Sequence, residues 1–108
     1  MSFKMPKCKI TVLKRTFNQD LVDEYLEDQY RPAGPCECFK DDQEFIIDPA
    51  TNPEEFSACC AWAWADIRKD IMAIASGANI FGFKRRGTTI TGCSDWFRPV
   101  YFKVERIE

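Results

Sequence analysis

The chain has 108 residues, a net charge of -2, 30% charged and 14% aromatic side chains, six cysteines and no histidine. A chain of this length makes one domain, residues 1–108, burying roughly 65% of its unfolded surface without needing a disulfide. Its composition is that of a folded chain and excludes disorder. The missing histidine excludes Cys-His nucleophile pairs and His-x-x-x-His zinc sites.

The start carries Lys4, Lys7 and Lys9 and no apolar run of signal-peptide length, and no stretch of 18 apolar residues occurs. The expectation is a cytoplasmic protein with no membrane association, whose thiols stay reduced. The densest basic run, Lys84-Arg85-Arg86, is too short for a nucleic-acid footprint and reads as a solvated turn between Gly82 and Gly87.

In chain order, residues 7–13 alternate Cys8, Ile10 and Val12 against Lys7, Lys9 and Thr11, the period of a half-buried strand. Asn18 has the character of an N-cap, and Leu21, Val22, Tyr25 and Leu26 form one apolar stripe, predicting a helix over 18–29. Pro32 and Pro35 make the following segment irregular. Residues 44–48 read as a short strand closed by Pro49.

A second helix follows, and its start has two readings. Asn52-Pro53-Glu54-Glu55 resembles a capping box, whereas Ser57 as cap would put Cys59 and Cys60 in the first turn, where the helix dipole favours a thiolate. In either register Cys60, Trp64, Ile67, Ile71 and Ile74 share one face, and Ser76-Gly77 stops the helix near Ala75. Strands are expected at 88–93 and 98–107, with a further one conceivable at 79–84. The order predicts an α+β fold, a mostly antiparallel sheet with two helices packed on one face.

Cys8 belongs to the core face of its strand, as free cysteine commonly does. Cys36 and Cys38 form a Cys-x-Cys pair ending a Pro-Gly loop, Cys60 leads the helix stripe, and Cys93 ends a strand before Ser94-Asp95-Trp96. Cys59, about 100° around a helix from Cys60, projects elsewhere. A loop, a helix start and a strand end are natural corners of one pocket. Cys36, Cys60 and Cys93, with Cys38 as an optional fourth and Asp95 as an oxygen donor, are therefore the candidate metal ligands. They would hold zinc or an iron-sulfur cluster. The plain alternative is that these are small buried hydrophobes of a non-catalytic interaction or small-ligand module, with a protein partner or a second copy covering the exposed tryptophans. A third reading is an enzyme or persulfide carrier using the Cys60 thiolate. No Cys-x-x-Cys pair occurs, which argues against thioredoxin-like and zinc-ribbon motifs.

Four stretches carry a resemblance. They are Lys9-Ile10-Thr11-Val12, Gly34-Pro35-Cys36 leading to Gln43-Glu44-Phe45, Cys60-Ala61-Trp62-Ala63-Trp64-Ala65-Asp66-Ile67, and Cys93-Ser94-Asp95 leading to Arg98-Pro99-Val100 and the Phe102-Lys103-Val104-Glu105-Arg106-Ile107 ending. Together they resemble a family of small prokaryotic proteins catalogued as an uncharacterised repeat protein family, across nearly the whole chain. Glu37 and Ser94 stand where that pattern has proline. The resemblance implies no activity, and its three cysteine positions match Cys36, Cys60 and Cys93.

Overall fold

In the computed structural model, residues 5–49 and 54–107 are described. Four antiparallel strands, β1 (Cys8–Arg15), β2 (Glu44–Ile47), β3 (Thr88–Gly92) and β4 (Val100–Arg106), form one sheet in the order β2-β1-β4-β3. The helices are α1 (Gln19–Tyr25), α2 (Glu54–Cys59) and α3 (Ala61–Ala75), with a 3-10 turn at Asp28–Tyr30. The fold is α+β, as the alternation of periods predicts.

Alternation along the strands decides which face is covered. Cys8, Ile10 and Val12 of β1, Phe45 and Ile47 of β2, and Val100, Phe102 and Val104 of β4 are all buried. Helix α3 lies over this face with Ile67, Ile71 and Ile74 inward, the stripe its spacing predicts. Phe39, Phe45, Phe56 and Phe102 close one end of the core, their ring centroids 4.8–6.2 Å apart and mostly tilted or edge-on, as the ring quadrupole prefers. On the opposite sheet face Lys9 bridges Glu44 and Glu105, and Lys103 also meets Glu105.

The first predicted helix is shorter than 18–29. Leu26 is extended (ψ 138°), and Arg31 reaches back to donate to the carbonyls of Leu26 (3.2 Å) and Asp23 (3.0 Å). That supplies the free acceptors at the helix end that a further turn would otherwise satisfy. Asn18 occupies the N-cap position without making a side-chain cap; its amide nitrogen donates instead to the Trp96 carbonyl (2.7 Å). The carboxamide is oriented by this tertiary contact, and its oxygen caps nothing.

The second predicted helix is divided. Ser57 is no cap: it lies inside α2 and its hydroxyl donates to the Glu54 carbonyl. The Asn52 alternative lies outside the described residues. Cys60 is extended (φ -160°, ψ 106°) and starts α3. The conceivable strand at 79–84 is absent; that segment is a turn whose geometry uses Gly82 at φ +86°. Beyond it Arg106 donates to the carbonyls of Ile74 (2.6 Å) and Ala78 (3.2 Å), covering the negative end of α3.

Cys8 is fully buried, its thiol 3.8 Å from the Ile71 carbonyl. Burial pushes its pKa above the ordinary 9.0, with the nearby Arg106 charge opposing. The folded chain therefore keeps this proton at a pH where the unfolded chain loses it. Its contribution to stability is complete below about pH 9 and declines as pH rises above that. Urea unfolding across the alkaline range is expected to show this fall, and Cys8→Ala is expected to flatten it. The same substitution costs about 1 kcal/mol at neutral pH through the small cavity it leaves.

Candidate thiol site

Four cysteines converge. Cys36, Cys38, Cys60 and Cys93 all line one cavity of about 420 Å³, together with Phe39, Trp62, Ala63, Asp95, Trp96 and Arg98 among others. All four expected ligand positions, and Asp95, are in its wall. Cys8 and Cys59 are not.

Each corner is built by a different device. The Cys36 loop is clamped to the end of β1: Arg15 donates to the Cys36 carbonyl (2.7 Å) and to Asp41 (3.0 Å). Cys60 interrupts the helix, and its sulfur accepts from the Ala63 N–H (3.4 Å), serving as the N-cap of α3. That places a sulfur where the helix dipole favours negative charge. Cys93 follows β3, and it exchanges two contacts with Val100 at the start of β4. Its own N–H donates to the Val100 carbonyl (3.1 Å), and its sulfur accepts from the Val100 N–H (3.3 Å).

Gly92 makes the last of these corners feasible. A Cβ there would stand 2.7 Å from the Val100 carbonyl oxygen. The neighbouring atom is backbone, so the strand would have to shift and not merely a side chain.

Cys36 completes a pattern. Its sulfur accepts from the Cys38 N–H (3.4 Å). Thus Cys36, Cys60 and Cys93, on three separate elements, each receive one backbone N–H at sulfur. Such bonds stabilise charge on a thiolate and are among the means by which proteins tune cluster-bound sulfur. Cys38, at the exposed mouth, differs. Its pKa is pushed up to about 11, by the burial of its sulfur, the hydrogen bond it shares with Cys36 and the proximity of the Cys36 and Cys60 thiols, with Arg98 opposing.

Two aspartates outside the apolar stripe of the helix hold the site together. Asp66 accepts from the Ser94 N–H (2.7 Å) and hydroxyl (2.8 Å), and Asp70, one turn on, accepts from Thr91 (2.7 Å). They fix α3 to the end of β3, and so Cys60 relative to Cys93. The available signal was the i, i+4 spacing of two acids facing a Ser/Thr-bearing strand end. Asp95 accepts from the N–H groups of Phe97 and Arg98 and pairs with Arg98 (3.4 Å). Its carboxylate shapes the turn at the cavity wall.

Among the described residues, no group of three or more Cys, Asp or Glu is arranged as it stands to hold a metal ion. The sulfurs share a cavity without forming a tight cage. Comparisons with protein-family models, curated proteins and solved structures find no match to this chain.

Because Gly92 abuts backbone, Gly92→Ala is expected to lower stability by about 1–3 kcal/mol in urea unfolding, the cost of overpacking. Asp66→Asn is expected to cost less, about 1 kcal/mol, since the Ser94 contact is solvent-exposed. A cost for Asp66→Asn exceeding that for Gly92→Ala would reverse the ranking of steric over polar constraint at this corner.

Proposed function

We propose that this protein binds an iron-sulfur cluster through Cys36, Cys60 and Cys93, with Cys38 at the mouth as an exchangeable fourth ligand. The observation that carries the reading is three cysteines from three elements lining one cavity, each sulfur receiving a backbone N–H. The donor set is sulfur without imidazole, which suits zinc and iron-sulfur clusters above other metals. Size favours the second. A single zinc with Zn–S bonds of about 2.3 Å needs its ligands drawn into a tight tetrahedron, and no group of that kind stands ready among the described residues, whereas a cluster would accept thiolates set farther apart around a cavity of about 420 Å³. Membership of the small family that the sequence resembles belongs to the same proposal.

Ligation needs deprotonated thiols, and the raised pKa of Cys38 counts against it as a ligand at neutral pH. Cys36, Cys60 and Cys93 would hold the group, with Cys38 at the cavity mouth. Arg98, held through its Nε by Asp95, stands at that mouth.

After anaerobic purification and reconstitution with iron and sulfide, the wild-type chain is expected to show broad visible absorption that bleaches on reduction. Iron and acid-labile sulfide are expected in equal amounts. Cys36→Ser, Cys60→Ser and Cys93→Ser are each expected to remove most of the cluster. Cys38→Ser should lower its lifetime in air, and Cys59→Ala should leave it unchanged. A reconstituted chain that stays colourless and iron-free would overturn the proposal; stoichiometric zinc instead would reassign the site to a structural ion.

A second reading draws support from Cys60 alone, whose sulfur caps α3 inside an open cavity. There it would act as a thiolate nucleophile or persulfide carrier. In the metal-free protein this reading expects iodoacetamide to modify Cys60 well ahead of Cys59 at neutral pH. Equal rates for the two neighbours argue against it.

A further inference from the structure

The loop joining α3 to β3 leaves the molecule at the end opposite the cysteines. Helix α3 starts at the cavity and runs 15 residues, about 22 Å, before the chain turns out through residues 79–86. The feet of this loop are fastened. The Asn79 side-chain oxygen accepts from the Gly87 N–H (2.7 Å) and from Arg106 (3.2 Å), and the Arg106 N–H donates to the Gly87 carbonyl (2.8 Å). At its tip the Phe83 N–H donates to the Ile80 carbonyl (3.2 Å), closing a turn around Gly82.

This anchored turn presents apolar surface outward. Phe81 is 100% exposed, and Ile80 and Phe83 are each 39% exposed. Directly after them come Lys84, Arg85 and Arg86, all exposed, and none is in an ion pair among the described residues. No Asp or Glu occurs anywhere from residue 71 to residue 94. The nearest strand acid, Glu105, is already engaged by Lys9 and Lys103. The other pole has the opposite sign. Asp20, Asp23, Glu24, Glu27 and Asp28 crowd α1 and the turn after it, and the one cation paired there, Arg31, meets Asp23 and Asp28 and leaves the segment acidic. That segment is tied by Asn18 to Trp96 and Phe97, beside the cysteine cavity.

We propose that the 79–86 loop docks this protein on a membrane surface containing anionic phospholipid. Phe81, flanked by Ile80 and Phe83, enters the interfacial layer, and Lys84, Arg85 and Arg86 meet the phosphate headgroups. Apolar insertion and basic attraction are the two signals that together give stable peripheral binding. The occupant follows from shape and sign. The tip is convex and apolar, so it needs a surface that yields to it. A duplex backbone would answer the cations and leave Phe81 in water, and a single strand stacking a base on Phe81 would leave Ile80 and Phe83 uncovered. A second copy meeting it through the same loop would bring two sets of three unpaired cations together. The acidic pole is repelled by the same lipid, so the molecule stands with the cysteine cavity facing away from the membrane. This adds to the finding that no helix among the described residues is long and apolar enough to cross a membrane, and it does not depend on the cluster.

Co-sedimentation with vesicles tests it, using phosphatidylcholine alone and phosphatidylcholine mixed with phosphatidylglycerol. The full chain is expected to partition tenfold or more strongly onto the mixed vesicles, in keeping with a roughly fivefold contribution per basic residue, and to be released by high salt. Replacing Lys84, Arg85 and Arg86 with serine should abolish the preference. Phe81→Ser should weaken binding about tenfold while leaving the urea midpoint unchanged, because that side chain is fully exposed. Absence of the wild type from the mixed-vesicle pellet would overturn the proposal. So would binding that survives Phe81→Ser intact, which would mark a general polyanion surface, such as one for nucleic acid.

Discussion

The site depends on one interruption. At Cys60 the backbone leaves helical geometry, dividing α2 from α3, and the sulfur of the same residue accepts the Ala63 N–H that the division exposes. A residue that remained helical there would carry its side chain along the helix surface with its neighbours. An extended residue at the cap position projects instead beyond the first turn, toward the strand ends where Cys93 and the Cys36 loop arrive. Capping by sulfur also explains why no Ser, Thr, Asp or Asn is needed at this start, since one of the orphan donors is already met.

The remaining corners are supported by contacts made to backbone or to carboxylates, not by the cysteines themselves. Arg15 holds the Cys36 carbonyl, Asp66 holds Ser94, and the Val100 pairing holds Cys93. Because Arg15 and Val100 are partners in the β1-β4 register, two of the corners are referred to a single rung of the sheet. The third is referred to it through α3 and its aspartates. This arrangement fixes the positions of the sulfurs through the scaffold and not through contacts among the sulfurs themselves.

Period-two alternation in β1 and β4 and the three-four spacing of Ile67, Ile71 and Ile74 were legible in the sequence because burial on one face leaves that imprint. The gathering of Cys36, Cys38, Cys60 and Cys93 was legible for a different reason: each lies at an element boundary, and boundaries meet at the ends of a sheet. The rest was hidden where tertiary contacts overrule local preference. Asn18 looks like a cap and serves Trp96. The helix around Ser57 looks continuous and breaks at Cys60, whose thiol is an uncommon N-cap that no propensity scale favours. Ile80, Phe81 and Phe83 have the composition of a strand, yet the fastening of Asn79 to Gly87 and Arg106 holds the segment between them as a projecting turn.

The core adjoins the thiol site without including its cysteines. Phe39, Ala63 and Val100 belong to both the buried cluster and the cavity wall, and the cluster contains no cavity cysteine. Cys36, Cys60 and Cys93 only pack against its margin. Small metal-dependent domains unfold when their ligand is removed because the metal replaces a core they lack. Here the sheet and α3 bury a core of their own, so a ligand in the cavity adds stability through its binding to the folded state without creating that state. Three of the sulfurs serve the fold as well, Cys60 as the cap of α3 and Cys36 and Cys93 as acceptors within their own turns. The corners of the cavity are therefore held by the same hydrogen bonds that end or begin the elements around it, whether or not a ligand is bound.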